Sequence, residues 1–237
     1  GSVTDPGEGV FAYEYGALVP VTAVPASNYV FVKWMGTAVD HGLVLDPNAA
    51  VTAVDLETGS ADVLQSYTLI AHFCTKPKAC TTLVSPITER TAFVWGDVLD
   101  DGGCCSRGVF RHRNVSAGGP WIVEVTASKY VTGQSFGLIL TGLVPGATYE
   151  YAAALENPAG QSAWGLNIKF TTKPFTVSDG CIKHLQDAID MAVDGTTIIV
   201  EGDTLRESVD LGSKELYIFG NGMPTLIGDD VNPTIKV

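Results

Sequence analysis

Charge is scarce in this sequence, and most of it is negative. Only 17% of its 237 residues are charged, with 14 Lys and Arg against 26 Asp and Glu and a formal net charge of −12. Such a surface repels a phosphate backbone, which excludes nucleic acid as an expected partner. No apolar run approaches the ~18–20 residues that span a bilayer, so no membrane span is expected. No leader pattern opens the chain either: Gly1-Ser2 runs straight into turn-rich sequence, and a secretion signal is expected to have been removed or to lie outside this segment. The four histidines, His41, His72, His112 and His184, are scattered without an i,i+4 pair. There is no Gly-x-Ser-x-Gly elbow and no phosphate-cradling loop. The expectation is therefore no cofactor, no metal and no catalytic constellation. Cysteine is sparse, and the spacing of Cys74, Cys80, Cys104, Cys105 and Cys181 fits no tetrahedral metal template. Disulfides are the favoured use of these residues. The adjacency of Cys104 and Cys105 points to separate partners, an odd count leaves at least one thiol over, and the connectivity stays open.

What is abundant suits strands and turns. With 26 Gly, 12 Pro and much Thr and Val, the composition points to an all-β extracellular protein. Three segments separate on pattern. In residues 1–74, Leu18–Val24 and Tyr29–Trp34 read as strands around a Pro25–Asn28 turn. Trp34 falls an odd step from Tyr29 and Phe31, which predicts a bulge near Lys33. Residues 37–48 read as a loop, and Tyr67, Leu69, Ala71 and Phe73 alternate as a closing strand. Thr75–Ala79 reads as a polar bridge. In residues 80–173 the alternation of Phe136, Leu138 and Leu140, and of Tyr149, Tyr151, Ala153 and Leu155, predicts a β-sandwich. In residues 174–237, Ile182, Leu185, Ile189 and Ala192 recur at helical spacing behind an N-cap at Ser178 or Asp179. Short strands then follow at Thr197–Val200, Ser208–Leu211, Glu215–Gly220 and Thr225–Gly228.

Three resemblances attach to these residues. Gly7-Glu8-Gly9, Phe11, Tyr13, Tyr29-x-Phe31-x-x-Trp34-x-Gly36 and Tyr67-x-Leu69-x-Ala71-x-Phe73 resemble the divergent InlB B-repeat of bacterial surface proteins, which implies a small β-grasp-like stalk or adhesion module. In that family a strand usually precedes the segment matching Gly1–Gly7, so the resemblance implies a missing first strand here. Leu140-Thr141-Gly142-Leu143-x-Pro145-Gly146-x-Thr148-Tyr149-x-Tyr151, then Asn157-x-x-Gly160 and Phe170-Thr171-Thr172, resemble a bacterial fibronectin type III domain. That likeness implies a spacer or binding module with Tyr149 as its corner tyrosine. The capping helix, Asp194-Gly195-Thr196 and Pro224-Thr225-Leu226-Ile227 resemble the opening of a right-handed parallel β-helix, with only its first coils before Val237.

Weighed as chemistry, the remaining candidates are weak. Asp97, Asp100 and Asp101 before Gly102-Gly103 fit a turn better than a calcium loop, since no bidentate Glu follows. Asp229 and Asp230 invite comparison with polysaccharide lyases and hydrolases, but glycoside chemistry needs a second facing carboxyl that cannot be assigned. Trp95, Trp121, Trp164, Tyr130 and Phe136 are expected inside the sandwich, with Trp121 and Trp164 the candidates for a sugar platform. Asn114-Val115-Ser116 is a formal glycosylation sequon. The expectation is a non-catalytic structural or adhesive segment, extracellular or on the cell surface, whose partners are copies of itself, neighbouring modules, surface glycans or host proteins. The alternatives are the accessory part of a β-helix carbohydrate-active enzyme and a carbohydrate-binding module. A strand edge at Thr234, Ile235, Lys236 and Val237, with the missing front strand, suggests fibre assembly by strand donation.

Overall fold

The computed structural model describes residues 1–56, 66–178, 182, 184–202, 204–222, 224–228 and 235–236, and strands dominate it. The first unit contains β1 (Ser2–Asp5), β2 (Leu18–Val24), β3 (Tyr29–Met35), a single turn α1 (Thr37–Asp40), β4 (Val51–Asp55) and β5 (Ile70–Thr75). Alternation along β2 buries Val19, Val21 and Ala23 and leaves Leu18 and Val24 outside. β2 lies between β1 and β4, whereas β3 pairs with β5, so the consecutive β2 and β3 do not form a hairpin. Asn28, at φ 67, turns the chain between the two sheets. The expected bulge is present, because the β3–β5 register shifts between Phe31 and Lys33. It turns Trp34 into the core, where its indole N–H donates to the Ala49 carbonyl at 2.9 Å. The segment expected as a loop carries α1.

The Gly1–Gly7 segment, which the resemblance places after a missing first strand, itself supplies a strand, β1. β1 runs antiparallel to β2, with Ser2 opposite Val24 and Val3 opposite Ala23, so that β2 is paired on both sides and β1 is the edge strand of this sheet.

The second unit holds β6 (Lys78–Ile87), β7 (Ala92–Asp100), β8 (Ser106–Asn114), β9 (Ile122–Tyr130), β10 (Ser135–Leu140), β11 (Thr148–Asn157), β12 (Gly160–Gln161) and β13 (Ile168–Thr171). One antiparallel sheet runs β10-β7-β6; the other runs β12-β11-β8-β9, with β13 also on β11. Three strands thus face five in a β-sandwich of fibronectin type III-like architecture. Phe110, Phe136, Tyr151 and Leu155 fill the space between the sheets. The Tyr149 hydroxyl accepts a bond from the Val144 N–H at 2.9 Å, which makes it the corner tyrosine.

The third unit comprises β14 (Phe175–Val177), α2 (Leu185–Met191), β15 (Thr197–Glu201), β16 (Thr204–Arg206), β17 (Val209–Asp210), β18 (Tyr217–Asn221), β19 (Thr225–Ile227) and β20 (Ile235–Lys236). Among the described residues its pairings are all parallel: β14 with β15, β15 with β18, β16 with β19 and β17 with β20. α2 starts later than the N-cap expected at Ser178 or Asp179, of which Asp179 lies outside the described residues. The helix takes its cap from a distant residue: the Glu207 carboxylate accepts the Leu185 N–H at 2.8 Å. Lys214 donates to the Ile189 carbonyl at 2.7 Å, satisfying the other end, where a cation is favoured.

Candidate functional site

Among the described residues, those singled out for chemistry do not converge. His41 bonds the Thr37 carbonyl at 2.8 Å, and His112 bonds Glu124 at 2.9 Å inside the sandwich. His184 sits 4.0 Å from Glu207 beside α2. Asp97 accepts a bond from Ser135 at 2.6 Å. Asp100 and Asp101 each accept the N–H two residues on, from Gly102 and Gly103, both at 2.9 Å. These are Asx turns, which employ the oxygens that a cation would need. Asn114 of the sequon accepts the Ala117 N–H at 3.0 Å. Asp229, Asp230, Cys181, Thr234 and Val237 lie outside the described residues. Ile235 and Lys236 of the expected edge pair in parallel with Val209 and Asp210 of the same chain.

The aromatics divide in an unexpected way. Phe136 is buried in the sandwich and Tyr130 packs against it. Trp95 is not inside: β7 turns Ala92, Val94 and Val98 inward, and Trp95 stacks with Phe93 outside at 4.4 Å. Trp121 and Trp164 lie on the outer face of the larger sheet, interleaved with arginines from β8. The Arg111 guanidinium is 4.5 Å from the Trp121 ring and 4.7 Å from Trp164, and Arg113 is 4.7 Å from Trp121. Arg113 also pairs with Glu150 at 2.5 Å. This cover explains why Glu150, Ala152 and Ala154, on the outward side of β11, are buried. A sugar platform needs open ring faces, and these rings already stack on guanidinium groups.

What the structure assembles most completely are the two junctions between units. At the front junction only Lys76 and Pro77 separate β5 from β6. The Thr75 N–H donates to the Gly102 carbonyl at 2.9 Å. The Asn157 amide donates to the carbonyls of Thr75 at 2.8 Å and Asp101 at 2.9 Å. His72 adds a bond to the Gly103 carbonyl at 2.9 Å. The turn approaches so closely that a Cβ on Gly102, at φ +71, would stand 2.1 Å from the Thr75 oxygen. Cys74 and Cys104 are buried here, Cys105 is exposed and Cys80 is half-buried on β6. Burial, then a hydrogen bond with Cys74, pushes the Cys104 thiol up to about 12.

At the rear junction residues 172–174 join β13 to β14. The Thr197 N–H donates to the Pro145 carbonyl at 2.8 Å, and Lys173 N–H donates to Thr88 at 3.0 Å. Arg90 lies over the Phe175 ring at 5.4 Å and donates to the Met191 carbonyl. Sequence reasoning missed Asn157, Arg90 and Gly102 as junction residues. Only the Asn157-x-x-Gly160 spacing carried a signal, and it pointed to the local turn that Asn157 also makes with Ala159.

Comparison with solved structures finds the sensor domain of the anti-sigma factor RsgI4 in Pseudobacteroides cellulosolvens, at 20% identity over 42% of this chain and 96% of that one, with a TM-score of 0.30. It also finds a human fibronectin type III domain, at 18% identity over 53% and 95%, with a TM-score of 0.35. No curated protein matches the chain. Residues 1–73 match the model of the divergent InlB B-repeat domain.

Proposed function

We propose that this chain is a non-catalytic structural segment of a secreted or cell-surface prokaryotic protein. In this reading its units hold a fixed line as a stalk or adhesive spacer. The observation that carries the reading is the pair of junctions. Each is two or three residues long, and each is bridged by backbone hydrogen bonds between units. Links that short, containing Pro77 or Pro174 and bonded across, favour a semi-rigid rod. The four parallel pairings of the third unit, grouped in three sheets, support reading it as the opening of a parallel β-helix. The likeness of residues 1–73 to surface-protein repeats supports an extracellular location. Among the described residues no helix is long and apolar enough to cross a membrane.

The partners in this reading are neighbouring modules of a longer chain and proteins of the cell surface. Strand donation between copies is not part of it: β2 is already paired with β1 and β4, and Ile235 and Lys236 already pair with Val209 and Asp210. A glycan platform at Trp121 and Trp164 is disfavoured by the arginines on their rings. Small-angle scattering tests the reading: a radius of gyration well above the ~18 Å of a compact domain of this length supports it, and a value near that figure overturns it. Turnover of polysaccharide or peptide by the 237-residue chain would equally sink the non-catalytic claim.

A further inference from the structure

The front junction contains one arrangement that stalk geometry alone does not require. Side chains alternate along β5, so Ala71 and Phe73 turn toward the first core while His72 and Cys74 turn the other way, toward the sandwich. Cys74 is completely buried, yet it belongs to none of the three hydrophobic cores. The loop after β7 meets that face. Its backbone is pinned beside Cys74 by the 2.9 Å bonds from Thr75 to Gly102 and from His72 to Gly103. The Cys104 sulfur then lies 3.9 Å from His72 Nε2, on the same side as Cys74.

We propose that Cys74 and Cys104 form an intramolecular disulfide that staples β5 of the first unit to the loop between β7 and β8 of the sandwich. Each thiol gives up a hydrogen and the two sulfurs join. The two electrons and two protons pass to an external disulfide by thiol–disulfide exchange, which leaves that oxidant as two thiols. Hydrogen bonds on either side of the pair hold the backbones close before the bond forms, the circumstance in which a disulfide costs least strain. The raised Cys104 thiol is a poor nucleophile once folded, so exchange takes place while the junction is still closing. Cys105, pointing to solvent, is left out of the bond. The staple closes a loop from residue 74 to residue 104 and makes the front junction covalent, which deepens the stalk reading and depends on an oxidising location.

The test uses the 237-residue chain, refolded in a buffer of oxidised and reduced glutathione, alkylated in denaturant and digested with trypsin. Cleavage separates Cys74 in peptide 34–78 from Cys80 in 79–90 and from Cys104-Cys105 in 91–107. The expected product is 34–78 joined to 91–107, retained in Cys105→Ser and absent in Cys104→Ser. Closure of 91–107 on itself, a link to the Cys80 or Cys181 peptide, loss of the link in Cys105→Ser, or full alkylation of every thiol each overturns the pairing. Because Cys104→Ser can disturb folding, the unsubstituted chain supplies a second measurement. Adding reductant should lower its melting temperature by roughly 5–10 °C, and an unchanged melting temperature overturns the staple. Pairing in the redox buffer by a chain that cells retain in a reducing compartment would leave the geometry standing and sink the extracellular reading instead.

Discussion

The two junctions solve the same problem with different materials. At the front, a glycine-rich turn of the sandwich presses its backbone against β5, and the buried Asn157 amide bridges carbonyls from both units. At the rear, the side chain of Arg90 reaches across to Phe175 and Met191, and one backbone bond joins Thr197 to Pro145. Backbone contacts cannot adjust, and a long, partly exposed side chain can. The front junction should therefore be intolerant and cooperative, and the rear one forgiving. Each junction carries its own reporter: the Thr75 N–H in front and the Thr197 N–H behind, whose hydrogen exchange measures local opening.

The largest effect should follow Gly102→Ala. The left-handed backbone at φ +71 costs a non-glycine residue about 1–2 kcal/mol. The added Cβ would also stand 2.1 Å from a backbone oxygen that cannot swing aside. A loss of about 3 kcal/mol or more is expected in denaturant unfolding, with fast exchange at Thr75. A near-neutral substitution would break the contrast between the junctions at its strongest point.

Asn157→Ala comes next. It removes both amide donors from the carbonyls of Thr75 and Asp101, along with the acceptor that closes the Ala159 turn. Leaving two partly buried carbonyls unpaired should cost about 2–3 kcal/mol. The sharper result is spatial: Thr75 exchange should accelerate while Thr197 exchange does not. Equal acceleration at both amides would mean that the two junctions open as one unit.

Titration separates the junctions differently. In the reduced chain, burial and the Cys74 hydrogen bond raise the folded Cys104 thiol from the ordinary value of 9.0 to about 12. The unfolded thiol therefore loses its proton first. Stability from this group is complete below pH 9 and falls as pH climbs through 12, by about 2 kcal/mol after allowing for solvent near the loop. Burial likewise raises Tyr151 from 10.0 to about 12, and its hydroxyl donates to the Leu83 carbonyl at 2.8 Å. That group contributes its own fall between pH 10 and 12. In the oxidised chain only the tyrosine component should remain, so stability should hold flat from pH 9 to 10 where the reduced chain already weakens.

Sequence alone carried the interior of the sandwich further than its surroundings. Alternation placed Phe136, Tyr149, Tyr151 and Leu155 correctly because a pleated strand with one buried face imposes period two. The rule failed at Glu150, Ala152 and Ala154, since both faces of β11 are covered and the outer cover comes from β8 and two distant tryptophans. It failed at Trp95 as well, because either face of an alternating strand can be the buried one and the smaller residues took the core. The late start of α2 was illegible for a related reason: its cap, Glu207, lies 22 residues away from Leu185. The turn at residues 101–103 was read as a turn, but nothing local reveals that it docks on another unit. Junction residues are chosen by tertiary contact, and only the spacing around Asn157 left a trace.

The smallest effect should be at Arg90, and it tests the forgiving half of the contrast. The guanidinium lies 5.4 Å from the Phe175 ring centre, within cation–π range, at a partly exposed site where such contacts contribute about 0.5–1 kcal/mol. Its bond to the Met191 carbonyl is solvent-accessible, so water can replace it when the side chain is removed. The backbone carbonyl of Arg90 accepts the Leu143 N–H at 3.0 Å whatever side chain is present. Arg90→Ala should therefore cost about 1 kcal/mol, which speeds Thr197 exchange roughly fivefold and leaves Thr75 unchanged. Arg90→Lys keeps the charge but loses the planar stack, so it should recover part of that loss and not all of it. If Arg90→Ala instead matched Asn157→Ala in cost, the rear junction would be as rigid as the front. The Thr197–Pro145 bond would then depend on Arg90 in the way that the Thr75–Gly102 bond depends on Asn157.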